Sequence, residues 1–133
     1  MYAAYSSIRR ILVEDSSVSS NVTSSSIRIG FSREVDVFPC IMIHKAGGGS
    51  HGLTGYGTST AGSKDRWEDR TFQLDILSRT SVENVELITD DVTTAMMGGF
   101  SGARLTSEAG GFDDSYNAYR SIQTWTGWEI VQD

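Results

Sequence analysis

The sequence predicts an α+β fold: an antiparallel or mixed β-sheet with two helices packed on one face, and a long hairpin loop. Two periodicities predict it. Apolar residues recur at three-and-four spacing over 81–97 and alternate at period two over 65–78. The third observation is order, because helix-like and strand-like segments succeed one another as helix, two or three strands, helix, two or three strands.

Residues 3–14 place Ala4, Ile8, Ile11 and Leu12 near one face, with Arg9, Arg10 and Glu14 elsewhere, as in a short amphipathic helix. Asp15 to Ser26 is dominated by Ser, Asn and Thr, whose side chains compete for backbone hydrogen bonds, so a linker pinned by Val18 and Val22 is predicted. Strands follow over Ser26–Gly30 and Val35–His44. Pro39, the sole proline, cannot donate to a ladder and belongs near the start of the second strand or at a bulge.

Residues 45–63 are glycine-rich with almost nothing to bury, and they read as the tip of a long hairpin. In the strand that follows, Phe72, Leu74 and Ile76 alternate with Thr71, Gln73, Asp75 and Leu77. The main helix, Ser81 to Met97, turns Val82, Val85, Ile88, Val92 and Met96 toward the sheet and Glu83, Glu86, Asp90 and Asp91 outward or sideways. Thr80 with Glu83 makes a capping box, and Gly98-Gly99 supplies a left-handed stop. Short strands are predicted over Ala103–Glu108, Tyr116–Trp125 and Trp128–Val131, separated by Gly110-Gly111 and Thr126-Gly127.

Length and charge narrow the function. A chain of 133 residues fits one domain, able to bury roughly two-thirds of its unfolded surface. A net charge of -6 with eleven scattered Lys and Arg argues against a nucleic-acid reader, since phosphate binding needs clustered cations. Lys64, Arg66 and Arg70 are interrupted by Asp65, Glu68 and Asp69, as in a solvated or subunit-facing strand. The one cysteine, Cys40, sits in an apolar run and reads as a small buried hydrophobe. The first residues lack an apolar signal core and no run is long enough to cross a bilayer, so synthesis and assembly in the cytoplasm are expected.

No convincing catalytic, cofactor or metal constellation emerges. Ser50-His51 lacks the Gly-x-Ser-x-Gly setting of a nucleophile elbow, and His44 and His51 are the only histidines. Gly47-Gly48-Gly49-Ser50 is not followed by the Gly-Lys-Ser/Thr and helix of a phosphate-binding loop. Asp90-Asp91 on a helix point about 100 degrees apart, and Asp113-Asp114 in a Gly-bounded stretch reads as a turn rather than a calcium loop. Tyr116, Tyr119, Trp125 and Trp128 divide between core packing and anchors for a neighbouring subunit.

The N-terminal helix, then Ile27-Arg28-Ile29 and Phe38-Pro39-Cys40-Ile41-Met42-Ile43, then a loop and Arg70-Thr71-Phe72-Gln73-Leu74-Asp75-Ile76, resembles the tail-terminator and tail-completion family of long-tailed bacterial and archaeal viruses. Asp91-Val92-Thr93-Thr94-Ala95-Met96 and the late Tyr119-Arg120-Ser121-Ile122-Gln123 extend the likeness over most of the chain. The resemblance implies that residues 1–133 form a single tail-terminator-like domain with a flexible Gly-rich loop at 45–63. It implies a non-enzymatic virion protein without cofactor, a hexameric ring that caps the head-proximal end of the tail tube, stops its growth and joins it to the head-tail connector. Its partners are then its own copies, the tube protein and the connector or neck protein, with no membrane and no sequence-specific nucleic acid. An acidic surface suits a lumen through which DNA passes without sticking. Two alternatives stand beside this reading: a head-closure or neck adaptor of the same kind of particle, and a ligand-binding or adhesion module built on the aromatic C-terminal strands and the Gly-rich loop.

Overall fold

The computed structural model describes residues 2–30, 37–50 and 66–131. Helix α1 (Tyr2–Glu14) and the short α2 (Ser16–Asn21) lead through a 3-10 turn (Ser24–Ser26) into β1 (Ile27–Ile29), followed by β2 (Cys40–Ser50) and β3 (Arg66–Ser78). Helix α3 (Val82–Gly99) then precedes β4 (Arg104–Asp113) and β5 (Ala118–Val131). Among the described residues five strands form one mixed sheet in the order β1-β2-β3-β5-β4. β1 runs parallel to β2, and every other neighbour is antiparallel.

The helices pack on one face, as period and order predict. Ile8 and Leu12 of α1, Val18 of α2, and Val85, Ile88, Val92, Ala95 and Met96 of α3 bury against Ile27, Ile41, Ile43, Phe72, Leu74, Ile76 and Trp125 of the sheet. Each fully buried Ile or Leu here contributes about 1.5–3 kcal/mol relative to exposure. Gly99 lets the two long helices meet, since a Cβ there would lie 2.9 Å from Ile11 Cγ1 and Cγ2. A polar strut adds direction under α3: Gln123, fully buried, donates to Thr93 Oγ1 at 2.8 Å and accepts from Trp125 Nε1 at 3.0 Å.

Several expectations are corrected. The Ser-rich stretch after α1 is helical as α2, because Asp15 Oδ1 caps it by accepting from Ser17 N and Val18 N, and buried Val18 and Val22 anchor it. Pro39 follows a cis bond from Phe38 immediately before β2, and β2 runs on through Ser50. The loop expected over 45–63 is therefore strand over 45–50, where ladder pairing with β3 outweighs the glycines' poor strand propensity. Its remainder, 51–63, lies outside the described residues, as do 31–36.

The cap of α3 is Ser81 rather than Thr80: extended Ser81 accepts from Asn84 N at 3.0 Å. Gly98 and Gly99 do not stop the helix but belong to it, and it ends at extended Phe100, with positive φ falling on Gly102 (+64°). Val82 does not hold α3 to the sheet, since it lies at the first turn and is exposed. Neither Gly110-Gly111 nor Thr126-Gly127 divides a strand, so three expected late strands are two long ones, β4 and β5. Arg70, expected on a solvated or subunit-facing strand, is buried.

Candidate interaction surface

Strand alternation sends Cys40, Met42 and His44 of β2, Leu77, Asp75 and Gln73 of β3, and Ala118, Arg120 and Ile122 of β5 to the face away from the helices. Cys40, Met42, Leu77 and Ala118 form a second apolar cluster with Tyr116, and Phe38 packs on its side. Burial desolvates the Cys40 thiol and pushes it from 9.0 up to about 11, so it is a packing residue at neutral pH.

Asp75 sits inside this face with a completely buried side chain. A lone buried carboxylate is costly, and here it is met from several sides. Arg120 Nη2 lies 2.5 Å from Asp75 Oδ2, Gln73 Nε2 donates to Asp75 Oδ1 at 2.8 Å, and His44 Nε2 is 3.6 Å from Oδ2. Arg120 Nη1 donates to Asp113 Oδ2 at 2.8 Å, binding the end of β4 to the sheet centre. Desolvation opposes ionisation of Asp113, but the Tyr116 N–H and then Arg120 outweigh it and hold its carboxyl below the ordinary value. Desolvation likewise works against the Arg120 charge, and Asp75 and Asp113 more than restore it. Arg79 completes the clamp on the β4-β5 turn by donating to Tyr116 O at 2.9 Å while stacking over Phe38 at 4.1 Å.

The second surface lies at the sheet's end. β4 is exposed along almost its whole length, and α3 does not cover it. Between them runs a groove of about 550 Å³, floored by Gly110 and Gly111. Val82, Val85, Phe112 and Tyr119 supply its apolar side, and Glu86, Asp90 and Glu108 its carboxylates. Phe112 packs edge-on against Tyr119 with ring centroids 5.3 Å apart, yet stays half-exposed. An exposed strand edge beside a partly apolar groove has unpaired backbone groups and apolar side chains in contact with solvent.

The residues weighed for chemistry do not converge. Asp90 borders the groove, whereas Asp91 turns away and accepts from Asn21 Nδ2 at 3.2 Å. Asp113 accepts from Tyr116 N in the turn at 3.2 Å. Ser50 lies in β2, and His51 is outside the described residues. His44, expected at a strand end, lies inside β2 opposite Gln73. Among the described residues no group of three or more His, Cys, Asp or Glu gathers to hold a metal ion. Of the aromatics, Trp125 and Tyr116 are core, Tyr119 lines the groove, and Trp128 is partly exposed over Gly102. Sequence reading missed the Asp75–Arg120–Asp113 chain. Asp75 falls in the polar half of the period-two alternation with Thr71 and Gln73, so nothing local set it apart.

No protein-family model matches the sequence, and no curated protein is significantly similar to it. Among solved structures, the fold is similar to that of a chain in the virion of a native gene transfer agent particle, at a TM-score of 0.63 and 4% identity, covering 96% of this chain and 94% of that one. At that identity the likeness is one of fold.

Proposed function

We propose that the chain is a structural protein of a virus-like particle, and more finely a ring-forming subunit that caps the head-proximal end of a tail tube, ends its growth and joins it to the head connector. The observation that carries this reading is the end-to-end fold likeness to a virion chain, with neither protein carrying a large unmatched part. The exposed β4 edge and its groove support it, because a subunit destined for an assembly keeps such surfaces for its neighbours. A net charge of -6 suits a pore that DNA crosses without adhering. On this reading the chain makes and breaks no covalent bond, and Asp75, Arg120 and Asp113 serve to stiffen the face away from the helices.

Light scattering of the purified protein across concentration, with negative-stain imaging of any large species, tests the proposal. Closed rings of about six copies are expected, and adding them to polymerising tube protein shortens the tubes. A strict monomer that leaves tube length unchanged overturns it.

A further inference from the structure

The two ends of the sheet match each other. Following strand partners from edge to edge, Ile27, Ile41, Ile76, Ser121 and Gly110 lie in one row, and Ile29, Ile43, Leu74, Gln123 and Glu108 in another. β1 therefore stands at the height of Glu108 to Gly110 on the far edge. Strand directions alternate so that β1 and β4 are opposed, and a second copy set beside the first without inverting the sheet brings its β1 antiparallel to β4.

Side chains on the helix side match as well. Ile29 shares its face with Ile27 and Ile43 but is 46% exposed, an aliphatic side chain left over at the β1 edge. The groove beside β4 offers Val82, Val85 and Phe112 on the same face, with Gly110 contributing no side chain between them. Charges are opposite. Arg9 reaches from α1 over β1, donating to Ile27 O at 2.9 Å and Ser24 O at 2.8 Å, with exposed Arg10 beside it, whereas the groove carries Glu86, Asp90 and Glu108. Ile27 already donates its outward N–H to Ser24 O and accepts from Arg9 at its outward carbonyl, so the ladder reduces to Ile29 and the contact rests mainly on α1, which accompanies β1 and would lie against the open flank of α3.

We propose that copies of this chain join head to tail, the β1 edge and α1 of one copy docking antiparallel on the β4 edge and the α3–β4 groove of the next, with Ile29 in the groove and Arg9 and Arg10 facing its carboxylates. The contact is heterologous, so it propagates instead of ending at a dimer, and it yields a ring when the rotation per step completes a turn. The inference rests on the ring reading above and adds which surfaces meet.

The full chain carrying Ile29→Cys and Glu108→Cys tests it, both positions being exposed or half-exposed. Mild oxidation is expected to give a ladder of linked species beyond the dimer on non-reducing gels, and each single-cysteine variant gives nothing beyond a dimer. A second variant, Glu86→Lys/Asp90→Lys, changes only exposed positions and is expected to weaken self-association about tenfold or more while leaving the melting curve in place. Rings that form with no ladder, and that tolerate the two lysines, overturn this inference and leave the ring reading standing. A monomer at every concentration, with no ladder and no effect on tube length, overturns both.

Discussion

Arg120 lies 2.5 Å from Asp75 in the buried face of the sheet and 2.8 Å from Asp113 at the end of β4, so one guanidinium joins the sheet centre to its outermost strand. Removing one partner of a buried pair strands the other, which costs more than the pair itself contributes. Asp75→Ala is expected to lose about 3 kcal/mol of stability, and the apolar double variant Asp75→Leu/Arg120→Met to recover much of it. Chemical denaturation measures both, and a single variant as stable as the parent sinks the assignment.

Asp113 carries the pH dependence of this link. Its folded carboxyl titrates below the ordinary value, first against desolvation and then through the Tyr116 N–H and Arg120. A depressed acid adds stability that is present above its unfolded pKa and lost as pH falls through the folded one. Acid titration of the parent should therefore show a loss below the ordinary carboxylate range that Asp113→Asn lacks. Parallel curves for the two proteins would refute it.

Adjacent glycines of α3 should respond with opposite sign. A methyl at Gly98 meets nothing within 4 Å, so Gly98→Ala should stabilise by about 0.5–1 kcal/mol through helix propensity. A methyl at Gly99 lies 2.9 Å from two branch carbons of Ile11, and overpacking should leave Gly99→Ala about 1 kcal/mol less stable, with Ile11→Ala relieving the clash. Thermal melts of the two single variants decide it, since equal shifts would remove the close contact of α1 with α3.

Cys40 should stay silent to thiol reagents in the native state. Its thiol is pushed by burial from 9.0 to about 11, so the folded chain holds a proton that the unfolded chain releases earlier. Stability present below pH about 9 is consequently lost as pH rises toward about 11. Labelling with an aromatic disulfide at pH 8 is expected only once denaturant unfolds the chain. Rapid labelling of the native protein would contradict this burial.

The class of fold, the main helix, the strongest strand and the inward side of each were legible in the sequence, because period two and period 3.6 record which side chains leave water. Ile8, Leu12, Leu74, Ile76, Val85, Ile88 and Val92 are buried as their spacing predicts. Element ends were less legible. Propensity read Gly47 to Gly49, Gly98-Gly99 and Gly110-Gly111 as loops, stops and breaks; strand pairing carried the sheet through the first and last, and α3 runs through Gly98-Gly99. The far-face ion chain was invisible, since Asp75, Asp113 and Arg120 are far apart in sequence and meet only through the β3-β5-β4 register. The candidate surface was legible only as an aromatic-rich C-terminal region. That β1 and β4 stand at one height, with arginines of α1 beside one and carboxylates of α3 and β4 beside the other, follows from strand order, register and helix placement together: local periodicity tells a strand which face to bury, and only long-range hydrogen bonding decides which described strands stand at the ends of the sheet.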